Sequence, residues 1–167
     1  MAATKNDFTP EEWQSVVGLP VAVSMVISLA SPAMGDMFKE SMALAKQVAD
    51  IANNPNAAGL LAELAAEYKD QATLKQAQPE LDKSSLEAAR AKLLESVRAA
   101  VAILDAKGGE EAGALKTWLY GVAVATAEAA KEGDFMGIGG VKVNEAEKAA
   151  LQELATVLQV AQSPAAV

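Results

Sequence analysis

The stretch EGDFMGIGGVKVNEAE, residues 132–147, gathers the residue types best placed for chemistry: four glycines, two early acids and a late lysine. Counting Asp134 as the first position puts Gly139 sixth and Glu145 twelfth, the spacing of an EF-hand calcium loop. Met136, Ile138 and Lys142 then fall at the third, fifth and ninth positions, where carboxylate oxygens should stand, so the loop is a poor calcium ligand. The run GIGGVK has a phosphate loop's glycines and lysine, but Val143 follows Lys142 where serine or threonine is needed, and no buried strand precedes it. Phe135, Met136 and Ile138 leave a third reading, apolar side chains on a Gly-rich turn that contact a partner. The simpler alternative is that they fold back over the end of a helical bundle. We expect a turn, with these three as candidate partner contacts together with Trp13 and Trp118.

Elsewhere the chemistry is thin. Without cysteine or histidine, the chain has no thiolate, disulfide, imidazole base or histidine-held zinc or haem. Glu63 and Glu67 are one helical turn apart and Asp105 lies near Glu110, but alanine, lysine or glycine surrounds each, as on solvated faces. Ser24 and Ser28 sit one turn apart in an apolar run, where serine bonds back to the preceding turn or admits a neighbouring helix closely. Tyr68 and Tyr120 read as half-buried core residues. Met25, Met34, Met37 and Met42 are the only sign of a pocket for a small apolar ligand, and core methionines explain them as well. The expectation is no catalytic residue, no cofactor and no metal.

The elements that must position these residues are helices. Apolar residues are 51% of the chain but aromatics only 4%, so the core is built from Ala, Leu, Val and Met, a mixture suited to closely packed helices. In FTPEEW, Thr9 is placed to cap, Pro10 opens the helix, Glu12 completes a capping box and Phe8 staples against Trp13. Apolar side chains recur at three- and four-residue steps through residues 37–51, 60–68, 86–104, 115–126 and 151–158. Ser84 with Glu87, and Asn144 with Glu147, mark two further helix starts, and KGG at 107–109 ends the longest amphipathic helix. The fold class is all-α, a single helical bundle of five to six helices around a nearly uncharged first helix. Residues 1–8 form an N-terminal extension, 70–83 a polar connection and 161–167 a frayed tail of one domain, 1–167.

Residues 14–35 carry no charge, about the roughly 20 residues needed to cross a bilayer. Gly18, Pro20, Ser24, Ser28, Ser31 and Pro32 dilute the run, and no Lys/Arg cluster flanks it, so burial in a bundle is preferred to an embedded helix. Pro20 removes one backbone hydrogen bond and bends the helix. A helix apolar nearly all round needs neighbours on every side, from its own chain or another. A net charge of −8 argues against nucleic acid and anionic membranes as partners. The opening residues have no basic start followed by an apolar segment, so a cytoplasmic, bacterial-type protein is expected. The expected function is a non-catalytic interaction or accessory protein, self-associating or complex-bound.

Residues 123–158 run from an alanine-rich helix through an acidic-glycine turn into a capped, Leu-faced helix, with Gly133, Asp134, Val143, Glu147 and Leu151 at the marking positions. This stretch resembles uncharacterised bacterial helical proteins and half of a tellurite-resistance TerB-like domain. The resemblance implies a helix–turn–helix unit. The Gly-rich insertion departs from that family's compact turn, and no activity or metal role is carried over.

Overall fold

The computed structural model describes residues 2–30, 37–129 and 143–162, with the backbone alone for 37–40. The Gly-rich turn, with Asp134, Phe135, Met136, Ile138, Gly139 and Lys142, lies outside the described residues, as do Met34 and residues 163–167.

The described residues form an all-helical fold without strands. After a single 3-10 turn, Lys5–Asp7, come α1 (Pro10–Ala30), α2 (Met37–Ala52), α3 (Gly59–Glu67), α4 (Gln71–Gln76), α5 (Leu86–Lys107), α6 (Glu111–Ala129) and α7 (Glu145–Leu158). These seven α-helices exceed the expected five to six because residues 71–76, read as polar connection, form α4. Six residues are too few to display an apolar stripe, and this helix exists because Asp70 caps it. The Asp70 carboxylate accepts from Ala72 N at 3.0 Å and from Thr73 Oγ1 at 2.7 Å.

Local signals set most of the other boundaries. The Thr9–Glu12 box forms as expected, with Thr9 N donating to Glu12 Oε2 at 2.7 Å and Glu12 N to Thr9 Oγ1 at 3.2 Å. Asn144 and Glu147 make the same box at the start of α7. At α5 the cap is Ser85, which accepts from Ala88 N, one residue beyond the expected Ser84. Ser84 is taken by Asp82, which accepts both its backbone N–H and its hydroxyl.

α1 packs along α5 and α6 and also touches α2, α3, α4 and α7, while α2 lies on α6 and α3 contacts both. Eleven of its 21 residues are buried, among them Val16, Val17, Val23 and Val26, each fully enclosed. The remaining core comes from the expected stripes, including Leu60, Leu64, Leu93, Leu104, Leu119, Leu151 and Leu154. Two polar contacts cross it. Thr126 Oγ1 donates to its own Val122 carbonyl, so Ser24 Oγ is the donor in the 3.0 Å contact with Thr126 Oγ1 that ties α1 to α6. Ser28 Oγ bonds back to the Ser24 carbonyl at 3.1 Å, as its place in an apolar helix suggested.

The caps carry a pH dependence. Backbone and side-chain hydrogen bonds from Thr4 hold Asp7 below the usual carboxylate range, Lys107 and then Thr9 do so for Glu12, Thr73 for Asp70 and Ser84 for Asp82. A carboxylate with a depressed pKa stabilises the fold fully above its ordinary value, 3.8 for Asp and 4.5 for Glu, and that contribution disappears as pH falls through the depressed one. Carboxyl NMR titration should therefore place all four below those values. Amide protection at Thr4, Thr9, Ala72 and Ser84 should fall together on acidification, and four unshifted titrations would refute the assignment.

Candidate functional site

Three of the acids that read as solvated, Glu63, Glu67 and Asp105, hold partners, while Glu110 is exposed. Glu63 Oε2 accepts the Lys5 backbone N–H at 2.6 Å. Glu67 Oε1 accepts Trp13 Nε1 at 3.0 Å and the Lys5 ammonium at 3.4 Å. The pair thus fastens the N-terminal turn and Trp13 to α3, which corrects the solvated reading. Glu111, on the first turn of α6, accepts the Leu60 backbone N–H and so caps α3, whose own N-cap, Ala58, has no side-chain acceptor. Asp105 receives the Lys116 ammonium at 2.6 Å and Gln159 Nε2 at 3.1 Å. Lys116 is buried there, and Gln159, at φ 57°, is the only non-glycine residue with positive φ among the described residues. This clasp joins α5, α6 and the end of α7.

Trp13, expected as a partner contact, is only 8% exposed. Its ring packs tilted against Phe8 with centroids 5.5 Å apart, the expected staple, and its indole N–H is spent on Glu67, so it belongs to the core. Trp118 is half-buried against the core, and its Nε1, itself enclosed, meets no acceptor among the described residues. The contacts expected at Phe135, Met136 and Ile138 lie outside the described residues. Among the described residues no group of three or more acidic side chains could hold a metal ion. Of the methionines, Met25 packs half-buried against the core, whereas Met42 is 58% exposed. The side chain of Met37 is not among those described.

Tyr68 has a specific task. Its hydroxyl donates to the Val17 carbonyl at 3.0 Å. That carbonyl lies on the α1 turn that Pro20 interrupts, where Pro20 has no N–H to offer the Val16 carbonyl. Burial pushes the Tyr68 hydroxyl above the ordinary tyrosine value of 10.0.

The site that sequence reading missed is a cleft of about 280 Å³ between α1, the end of α4 and α5. Gln14 and Ser15 line it from α1, Gln76 and Gln78 from the end of α4, and Ser96 and Ala99 from α5. Gly18 lets the α4 end sit on α1, because a Cβ there would overlap the Ala77 carbonyl oxygen. Pro79 turns the chain along the rim. The available signals were the cluster of uncharged glutamines in QAQP, 76–79, and a glycine two residues before Pro20. Neither indicates that three elements meet.

No family model, curated protein or solved structure matches the chain. Of the positions that carry the TerB-like resemblance, Val143, Glu147 and Leu151 are buried, and Gly133 and Asp134 lie outside the described residues.

Proposed function

We propose that the protein is a non-catalytic interaction or accessory protein, a bundle organised around α1 that works in the cytoplasm by self-association. The observation that carries this reading is the exposure of large apolar side chains on a fold whose core is otherwise closed. Met42, Leu81 and Leu86 are 58%, 38% and 54% exposed; Leu81 stands on the connection before α5 and Leu86 opens that helix. Large apolar side chains left exposed five residues apart are candidates for a protein contact surface. Occupied carboxylates add support, since caps and clasps absorb the acids that could have served catalysis.

The burial of α1 moves the contact role away from that helix. By length and composition α1 could cross a membrane, but 61% of its most apolar window is buried within the fold, which favours the bundle reading over the embedded one.

Light scattering after size exclusion in detergent-free buffer tests this reading. The expected result is a defined multiple of 17.2 kDa at micromolar concentration, reduced to the 17.2 kDa monomer by Leu81→Lys with Leu86→Lys. A monomer at every concentration would overturn self-association. Recovery only with detergent would instead support α1 as a membrane element.

A further inference from the structure

Beyond any role in association, we propose that the cleft between α1, α4 and α5 binds a small uncharged molecule bearing a carboxamide. None of its lining side chains is ionisable, although 22% of the chain is charged. An ion entering it would meet no counter-charge among the lining side chains, so the cleft favours neutral ligands.

The hydrogen-bonding capacity points to the ligand class. Ser15 Oγ donates to the Glu11 carbonyl at 3.0 Å and Ser96 Oγ to the Lys92 carbonyl at 3.0 Å. Their protons are committed, and each hydroxyl offers the cleft only acceptor lone pairs. Gln14 Nε2 donates to Gln76 Oε1 at a long 3.5 Å. That contact leaves the Gln14 carbonyl oxygen and the Gln76 amide nitrogen without partners among the described residues, one acceptor and one donor on facing elements. The Gln78 amide supplies another of each. A carboxamide presents the complementary pair, N–H beside C=O. Ala99 and Pro79 give an apolar wall for the hydrocarbon part of the same molecule. The volume lies just under the roughly 300–1,000 Å³ of sites for drug-sized ligands, so the occupant is fragment-sized.

A second hollow, at Thr4, Asp7, Lys107 and Gly109, offers less. Its cation, Lys107, is already paired with Glu12, and Asp7 is held by Thr4.

The test uses three probes of one shape: benzamide, benzoate and benzylamine. Each is titrated into the 167-residue chain and followed by amide NMR, including the glutamine side-chain signals. Benzamide should give saturable shifts at Gln14, Gln76, Gln78 and Ala99, and the two charged probes should bind at least about tenfold more weakly. Ala99→Phe fills the cleft from an exposed position of α5, so it should abolish the benzamide shifts while leaving the rest of the spectrum in place. Gln78→Ala, at an exposed position, should weaken benzamide without disturbing the fold. Absence of saturable benzamide shifts at millimolar concentration would overturn the proposal. So would equal binding of all three probes, or benzamide binding that survives Ala99→Phe. Because these readouts do not depend on molar mass, they are independent of the self-association test.

Discussion

Gly59→Ala is expected to destabilise the protein by about 3 kcal/mol, through two effects at one atom. Gly59 holds φ at +64°, a left-handed conformation in which a Cβ costs roughly 1–2 kcal/mol. The added Cβ would also overlap the Glu111 carboxylate, which caps α3 through the Leu60 N–H. Leu60 is fully enclosed, so expelling that carboxylate leaves its N–H without an acceptor, worth about 1–3 kcal/mol. For a chain of this size the sum corresponds to a melting temperature lower by roughly 6–12 °C. A double-mutant cycle separates the causes. Glu111→Ala alone loses the cap, and in the Gly59→Ala background it has nothing left to remove, so the double variant should match Gly59→Ala. A non-additivity equal to the lost cap, about 1–3 kcal/mol in urea unfolding, is the expected signature. Strict additivity, or a Gly59→Ala variant within about 0.5 kcal/mol of the parent, would dismiss the shared cap, since changes that small are typical of surface sites.

Tyr68→Phe is the second large effect, about 2 kcal/mol, because it removes the hydroxyl that serves the backbone of α1. The enclosed Val17 carbonyl loses its 3.0 Å donor, at the turn where Pro20 already withholds an N–H. Buried groups deprived of partners cost about 1–3 kcal/mol, whereas the ring itself is conserved and its packing stays. Alkaline unfolding gives a second readout with a definite sign. The folded-state Tyr68 pKa is raised above 10.0, so its stabilising contribution is fully present below pH 10 and declines as pH rises above it, where the unfolded chain releases the proton first. The stability gap between parent and Tyr68→Phe should therefore be constant at neutral pH and narrow above pH 10. A gap that is absent at neutral pH, or that widens in alkali, would contradict the role assigned to the hydroxyl.

Neither effect was legible in the sequence, and their geometry explains why. Tyr68 and Val17 are 51 residues apart, and so are Glu111 and Leu60. Reading along the chain, Glu111 is one acid among 22 and Tyr68 an ordinary amphipathic residue. The same separation hid the work of Glu63 and Glu67, whose partners Lys5 and Trp13 lie 58 and 54 residues away. The bond that holds the Trp13 indole was hidden in the same way, because it depends on α3 arriving beside it. The cleft was hidden more thoroughly still, since α1, α4 and α5 must all be in place before its glutamines and serines face one space. The α5 boundary missed by one residue for a subtler reason: Ser84 and Ser85 are equivalent as letters, and Asp82 decides between them.

What the sequence determined by itself is what lies within one turn of helix. The Thr9–Glu12 and Asn144–Glu147 boxes join residues three apart, the Phe8–Trp13 staple spans five, and the apolar stripes repeat every three or four. Such interactions need no distant neighbour, so residue type and spacing specify them, and with so few aromatic residues they specify an all-helical fold. The tertiary structure alone decided which polar groups hold helices together and which line the cleft between α1, α4 and α5. A carboxylate or an amide acquires its role from the donor packed against it, and packing brings that donor from the far end of the chain.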